Sequence, residues 1–423
     1  HLALNAVLEK YQYLEKKERA FITRVTEGTL EHMIELDYIL NQFSKVKVNK
    51  MKPVIRNILR SAVYQLKYMD SVPDSAVCNE AVKLAVKKGF GTLRGFVNGV
   101  LRNVARGLDQ VEYPTEGIER LSVVYSMPEW ILKLWKKTYD LDVIESMLQA
   151  FQEETPVTIR CNLAKTTPEN LKESLQKEGV TVTPHPYLSY AFWIQDYDHL
   201  SELESFQKGE FYVQDISSML VGELADPKKG DRVIDVCAAP GGKALHVAEK
   251  LRGTGSVEAR DLSLYKVGLI TENIERSGLT NIHAVQKDAT VCDADVKDAA
   301  DLVIADLPCS GLGVLAKKTD LKYKATEQST KELAGLQREI LKNAASYVRP
   351  GGTLIYSTCT INPAENIENV HWFLKEFPEF VLDPIADRLC STLQNSVEEA
   401  GCLQLLPGIH KSDGFFIARF GKK

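Results

Sequence analysis

The sequence predicts a multidomain protein: an all-α bundle, then a small α+β domain, then an α/β domain built on a parallel, doubly wound sheet. Three observations carry this prediction. A length of 423 residues leaves room for two or three domains at ~150 residues each. Apolar residues recur at three- and four-residue spacing through residues 1–110. After Phe206 the pattern changes to short apolar runs separated by helical lengths, the signature of βαβ units.

In the first part, Ala6, Val7 and Leu14, then Phe21, Ile22, Val25 and Leu30, then Ile34, Leu36, Ile39 and Leu40 repeat at helical spacing. Pro53 suits the first turn of VIRNILRSAVYQLKYM, in which Ile55, Ile58, Leu59, Ala62 and Leu66 make one apolar stripe. Asp74 or Ser75 is placed to cap AVCNEAVKLAVKKG, and Gly89 to end it. Pro114, Gly117 and Pro128 mark a boundary, after which one helix is expected from Trp130 to Leu148. Strand-like VTIRCNL (157–163), helix-like PENLKESLQKEG (168–179) and β-rich VTVTPHPYLSYAFWI (180–194) then predict the α+β domain. These signals divide the chain at 1–125, 126–206 and 207–423.

In the last part, RVIDV (232–236), SVEA (256–259), IHAV (282–285), DLVIAD (301–306) and TLIYS (353–357) read as parallel strands. LQLL (403–406) and FFIARF (415–420) are joined by only eight residues, too few for a parallel crossover, and should pair antiparallel.

Composition is that of an ordinary globular protein, 44% hydrophobic and 26% charged, which argues against disordered and collagen-like classes. The net charge of −5 hides an asymmetry: residues 1–110 hold 18 Lys and Arg against 11 Asp and Glu, so they carry +7 and the remainder −12. A cationic front on an acidic body suggests attraction to a phosphate backbone, although a solvated helix face would look the same. No stretch reaches the ~18 apolar residues needed to cross a bilayer, and no basic-then-apolar leader opens the chain, so a cytoplasmic location away from membranes is expected. The eight cysteines, at 78, 161, 237, 292, 309, 359, 390 and 402, include no pair two to four residues apart, so no metal site is expected.

The first βα turn of the α/β domain reads DVCAAPGGK, Asp235 to Lys243. Ligands of open α/β sheets bind at the carboxyl ends of the strands, and a small, Gly-rich turn there lets backbone approach a nucleotide closely. The spacing is not GxGxxG, and Ala244 follows Lys243 where a triphosphate-binding loop has Ser or Thr, which disfavours a dinucleotide or a triphosphate. Cys237, Ala238, Ala239, Pro240, Gly241, Gly242 and Lys243 therefore line the expected cofactor site. Asp261, 20 residues past Gly241, is placed to hold a ribose diol, with Glu258 as competitor, and Asp288 to meet an adenine amino group. The fourth strand runs into DLPCSGLG, with Asp306 and Cys309, and the fifth into Ser357, Thr358, Cys359, Thr360. An isolated cysteine is usually a small core residue, but two at adjacent strand ends point to reactive thiols at one crevice.

CAAPGGK, DLPCSGLG and STCT, in that order on those strands, resemble the RNA 5-methylcytosine methyltransferase family, which uses S-adenosylmethionine. GFVNGVLRNVAR (95–106) and the helical front are similar to the NusB-like domain of its bacterial ribosomal RNA members. The resemblance spans nearly the whole chain. It implies a NusB-like bundle, a small linker or RNA-binding domain and a Rossmann-like methyltransferase domain. By resemblance, Cys359 adds to carbon 6 of cytosine so that carbon 5 can take the methyl group, and Cys309 assists proton removal or product release. Asp306, at the edge of the cofactor crevice, is placed to hydrogen-bond the base, and Lys243 either supports Asp306, helps hold the thiolate, or is a solvated first-turn lysine.

The base must be single-stranded or flipped out to meet the thiol. Lys317, Lys318, Lys322 and Lys324, with Tyr323, form a basic loop for phosphates or an ordinary surface loop. Asn366, His410 and Asp413 are given structural roles. The implied substrate is small-subunit ribosomal RNA, not DNA, met by a monomer. The competing readings are a transfer RNA methyltransferase and a NusB-like antitermination factor that has lost catalysis.

Overall fold

The computed structural model describes residues 2–11, 13–153, 155–397 and 399–423. It divides into two compact units, one formed by His1–Gln152 with Leu315–Lys324, the other by Glu153–Val314 with Ala325–Lys423.

The first unit is helical. Lys16–Glu31, Met33–Phe43, Pro53–Tyr68, Asp74–Lys87 and Arg94–Gly107 enclose a core that includes Leu36, Ile39, Leu40, Ile55, Leu59, Val97 and Leu101. Pro53 opens its helix, where its missing N–H costs nothing. Asp74 and Ser75 lie inside the first turn instead of capping it, because the helix starts one or two residues earlier than expected, after Pro73. The single helix expected over 130–148 is two, Glu129–Trp135 and Leu141–Gln152. The Thr138 and Tyr139 N–H groups both bond to the Trp135 carbonyl, closing the first, and the Asp140 carbonyl accepts from Ile144 N–H to open the second.

Buried Glu35 anchors a polar cluster in this unit. Lys67 Nζ donates to Oε1 at 2.6 Å, Tyr113 Oη donates to the same oxygen at 2.8 Å, and Tyr68 Oη donates to Oε2. Burial alone would raise this carboxyl, but hydrogen bonds from His32, Lys67 and Tyr68 more than reverse it and hold it at about 2.

The basic segment after DLPCSGLG also belongs to the helical unit. Lys322 is buried there, its ammonium donating to the Glu31 carbonyl at 2.8 Å, and Tyr323 Oη lies 3.3 Å from the Ser126 carbonyl. Lys324 is paired with Asp320 at 2.5 Å. The segment is thus not the free basic loop that its composition suggested: Lys322 is committed to a carbonyl, and burial lowers its ammonium to about 8.

The second unit opens with a four-stranded antiparallel sheet of β1 (Val157–Cys161), β2 (Thr181–Pro184), β3 (Ala191–Gln195) and β4 (Phe211–Val213), in the order β2-β3-β1-β4. Thr167 caps the helix Pro168–Lys177, whose Leu171 and Leu175 pack with Ile159, Phe192 and Phe211.

The main sheet contains β5 (Arg232–Asp235), β6 (Ser256–Asp261), β7 (Ile282–Gln286), β8 (Ala300–Asp306), β9 (Val348–Thr358), β10 (Phe380–Leu382), β11 (Cys402–Leu405) and β12 (Phe415–Lys422). Its order is β10-β12-β9-β8-β5-β6-β7, with β11 paired to β12. Strands β5 to β9 are mutually parallel, and β12 pairs antiparallel with both β9 and β11, as the short β11–β12 connection requires. Sheet order reverses between β5 and β8, because the chain goes outward through β6 and β7 and returns on the other side. Such a reversal opens a crevice at the carboxyl ends of β5 and β8.

Candidate active site

The strand ends at this crevice carry the chemistry. In the parallel register Asp306, the last residue of β8, is level with Ser357 of β9. The two loops that leave these positions bring Cys309 Sγ and Cys359 Sγ to 3.2 Å, with neither cysteine in a disulfide. Cys309 is held well above its ordinary thiol value, first by its contact with Cys359, then by burial and by the nearby charge of Glu365. The loop is locked from outside by a close backbone approach. Gly414 N–H donates to the Gly313 carbonyl at 2.8 Å, and a Cβ on Gly313 would lie 1.9 Å from the Gly414 oxygen, so only glycine fits.

Asp306 sits between two donors. Ser357 Oγ donates to Oδ1 at 2.7 Å, and Lys243 Nζ donates to Oδ2 at 2.8 Å. Lys243 comes from the first turn of the helix Gly242–Lys250. Its ammonium lies 3.2 Å from Ser218 Oγ and 5.3 Å from the centre of the Phe415 ring. Burial works against its charge, but the neighbouring Asp306 outweighs burial and raises the lysine above its usual range. Of the three roles open to Lys243, the solvated first-turn lysine is not what the structure shows.

The Gly-rich turn leaves β5 below this pair. Gly241 adopts φ +109°, open to glycine and strained for other residues, and directs the chain into the helix Gly242–Lys250. Cys237 N–H bonds back to Asp235 Oδ1 at 3.3 Å, Ala238 N–H to the Arg260 carbonyl at 2.7 Å, and Ala239 N–H to Asp261 Oδ2 at 3.3 Å. Pro240 is cis to Ala239. Asp261 is therefore at the end of β6, beside the turn, where the sequence placed it. Glu258 is instead committed to Arg260 at 2.6 Å in mid-strand. Burial pushes the Cys237 thiol up. Asp288 is exposed beyond β7, its carboxylate accepting from Thr290 N–H and Oγ1 at 2.9 and 2.7 Å.

Two features of this turn fit a small polar nucleoside ligand. Asp235 is fully buried, yet its Oδ2 has no hydrogen-bond partner, an acceptor held ready at the strand end. Burial and the adjacent Asp306 push its carboxyl up to about 7. The first N–H groups of the helix after Gly241 also lack intrahelical acceptors and face the crevice end of the sheet.

Ser218, Phe415 and Glu365, which join the Ser357 named at the end of the fifth strand, were not singled out in the sequence as site residues. Each reaches the site from a different element, and no local pattern marks them. His410 has a structural part, accepting from Leu406 N–H at 2.9 Å and meeting Ser396 Oγ at 2.8 Å.

The comparisons with known proteins agree across the chain. Residues 223–421 match the model of the 16S rRNA methyltransferase RsmB/F family, residues 1–106 that of the NusB family, and residues 127–197 the ferredoxin-like domain of RsmF/B-like methyltransferases. A probable ribosomal RNA small subunit methyltransferase B of Bacillus subtilis is 37% identical, over 100% of this chain and 94% of its own length. The corresponding Synechocystis protein is 33% identical, over 100% of this chain and 95% of its own. Among solved structures, PH0851 superposes with a TM-score of 0.83 at 26% identity, covering 99% of this chain and 93% of that one. NSun6 from Pyrococcus horikoshii, solved with SFG, gives 0.62 at 25% identity, covering 70% and 98%. With thiols, carboxylate and Gly-rich turn joined at one crevice, and with relatives matched along its full length, the chain belongs to the 16S rRNA methyltransferase RsmB/F family.

Proposed function

We propose that the protein uses S-adenosylmethionine to methylate carbon 5 of a cytosine in 16S ribosomal RNA through a covalent adduct on Cys359. The observation that carries this reading is the convergence of Cys359, Cys309 and the Asp306–Lys243 pair at the ends of adjacent strands, beside the Gly-rich turn. The cofactor would lie against the backbone of Cys237 to Gly242, with Asp261 at its ribose and Asp288 toward its base, and would supply an electrophilic methyl group on a sulfonium.

The protein's own residues prepare the acceptor. Carbon 5 of cytosine is a weak nucleophile, and addition of the Cys359 thiolate to carbon 6 makes the ring enamine-like. Negative charge then builds at nitrogen 3, which takes a proton from water, and the Asp306 carboxyl, fixed by Lys243 and Ser357, would accept hydrogen bonds from that N–H and the exocyclic amine. After methyl transfer the carbon 5 proton must leave before the Cys359–carbon 6 bond breaks. Water takes that proton, and Cys309, in contact with Cys359 and held as a thiol, gives its own proton to the Cys359 sulfur as the bond to carbon 6 breaks with its electron pair. The cationic helical domain (1–125) and the small domain (126–206) would hold the RNA while the catalytic domain (207–423) acts as part of a cytoplasmic monomer.

Bisulfite sequencing of ribosomal and transfer RNA from cells with and without the gene tests the reading. One protected cytosine lost from 16S RNA is the expected result. Loss from transfer RNA instead would move the substrate, and an unchanged pattern together with no binding of S-adenosylmethionine in calorimetry would leave only an RNA-binding role.

A further inference from the structure

Behind the two thiols lies a buried carboxylate with no part in the chemistry above. Glu365 is fully buried, at the end of the short turn Pro363–Glu365 that follows the Cys359 loop. Four donors converge on its two oxygens. Ser310 N–H and Gln337 Nε2 reach Oε2 at 2.8 and 3.1 Å, while Ser310 Oγ and Asn362 Nδ2 reach Oε1 at 2.6 and 2.9 Å. That set fills the acceptor capacity expected of an ionised carboxylate.

The donors flank the reactive sulfurs. Ser310 follows Cys309, and Gln337 also donates to the carbonyl of Pro308, which precedes Cys309, at 2.9 Å. Ser310 Oγ lies 2.9 Å from Oγ1 of Thr360, the residue after Cys359. One buried group therefore ties both sides of the Cys309 loop to the far side of the Cys359 loop.

We propose that Glu365 is a positioning residue: without touching either thiol, it clamps the two loops together and so sets the distance and direction between Cys309 and Cys359. The functional importance of that distance rests on the cytosine reading above, but the clamp itself is tested without RNA or cofactor. Two thiols held in contact close to a disulfide when hydrogen peroxide is added. Each sulfur gives up one hydrogen, an S–S bond forms, and the peroxide O–O bond breaks to give two waters. The rate of this closure reports how the sulfurs are held.

Glu365→Gln keeps the shape but sets an amide NH2 against one pair of donors. The closure rate, followed by mass spectrometry as the loss of two hydrogens, is expected to fall about tenfold or more, since displacement by ~1 Å is that costly to aligned groups. The same variant should lose kcat by a similar factor, with KM for RNA and affinity for S-adenosylhomocysteine nearly unchanged. A merely structural role would instead lower melting temperature with closure unaffected. A folded E365Q that closes at the wild-type rate overturns the proposal, as does a wild-type protein whose thiols do not close. If E365Q does not fold, Ser310→Ala removes only the hydroxyl links to Glu365 and Thr360. Slower closure in S310A supports the clamp, and wild-type closure there refutes it.

Discussion

The sulfurs of Cys309 and Cys359 lie 3.2 Å apart across 50 positions of sequence. The parallel register explains how. With Asp306 level with Ser357, Cys309 stands three residues beyond the one and Cys359 two beyond the other, so the loops that leave the two strands meet. In the reaction proposed above, a contact this close would make the two thiols a working pair, one attacking carbon 6 while the other stays protonated beside it.

The division of labour is checked by trapping the protein on RNA. Cys359→Ala is expected to abolish turnover and any covalent species. Cys309→Ala is expected to accumulate a protein–RNA adduct that survives denaturing electrophoresis, because methylated product stays bonded to Cys359. Release of product by C309A at the wild-type rate would show that Cys309 has no part in resolving the adduct.

Lys243 and Asp306 make a second prediction. Lys243→Met leaves the Asp306 carboxylate with the Ser357 hydroxyl but without the ammonium, beside the buried Asp235, so it loses both its orientation and its compensating charge. Single-turnover methyl transfer should slow by ~10²-fold, the scale on which a fixed polar group at a developing charge is felt. Calorimetric affinity for S-adenosylhomocysteine should change far less. Equal losses in both measurements would assign Lys243 to cofactor binding.

How much of this was readable beforehand depends on whether a residue's role is local. Strands β5 to β9 and the turns after them were legible because each joins a short apolar run to a Gly- or Cys-bearing loop, and fold rules then place those loops at one crevice. Glu365 was not, because its donors come from residues 310, 337 and 362 and no spacing connects them. Lys322 was misread for the converse reason: a lysine in a basic run looks solvated unless the carbonyl that receives it is known. The break at residues 136–140 was hidden because apolar spacing continues through it, whereas the hydrogen bonds that end the helix are set by turn geometry.

The helical unit should respond to acid through Glu35. Its carboxyl is held at about 2, below the ~4.3 of an unfolded chain, so the unfolded state binds a proton first as pH falls. The stabilisation is complete above pH ~4.3 and is lost as pH falls through about 2, with a total of about 3 kcal/mol. Hydrogen exchange in the helix Met33–Phe43 should therefore accelerate, relative to the intrinsic rate, between pH 5 and 3 (about the onset of that window). Glu35→Gln should be less protected at pH 7 and show a flatter pH response. A parallel response in the two proteins would assign the acid sensitivity to other groups.

Arg160 offers a test of how the small sheet is fastened to the catalytic fold. It is fully buried on β1, with Nε donating to Gln214 Oε1 at 2.7 Å and Nη1 to Glu249 Oε1 at 3.0 Å, and it lies 4.3 Å from the Tyr212 ring centre. Glu249 belongs to the same helix as Lys243, so the ion pair ties that sheet to the helix behind the Gly-rich turn. Burial raises the Glu249 carboxyl despite the arginine, which marks the pair as costly to desolvate. Arg160→Met strands a buried carboxylate and should destabilise the unit by about 3–5 kcal/mol in urea unfolding. Arg160→Met with Glu249→Leu removes both charges and should recover most of that loss. If the double variant is as unstable as the single one, the arginine's packing on Tyr212 and its bond to Gln214 hold the sheet in place, and the charge on Glu249 does not.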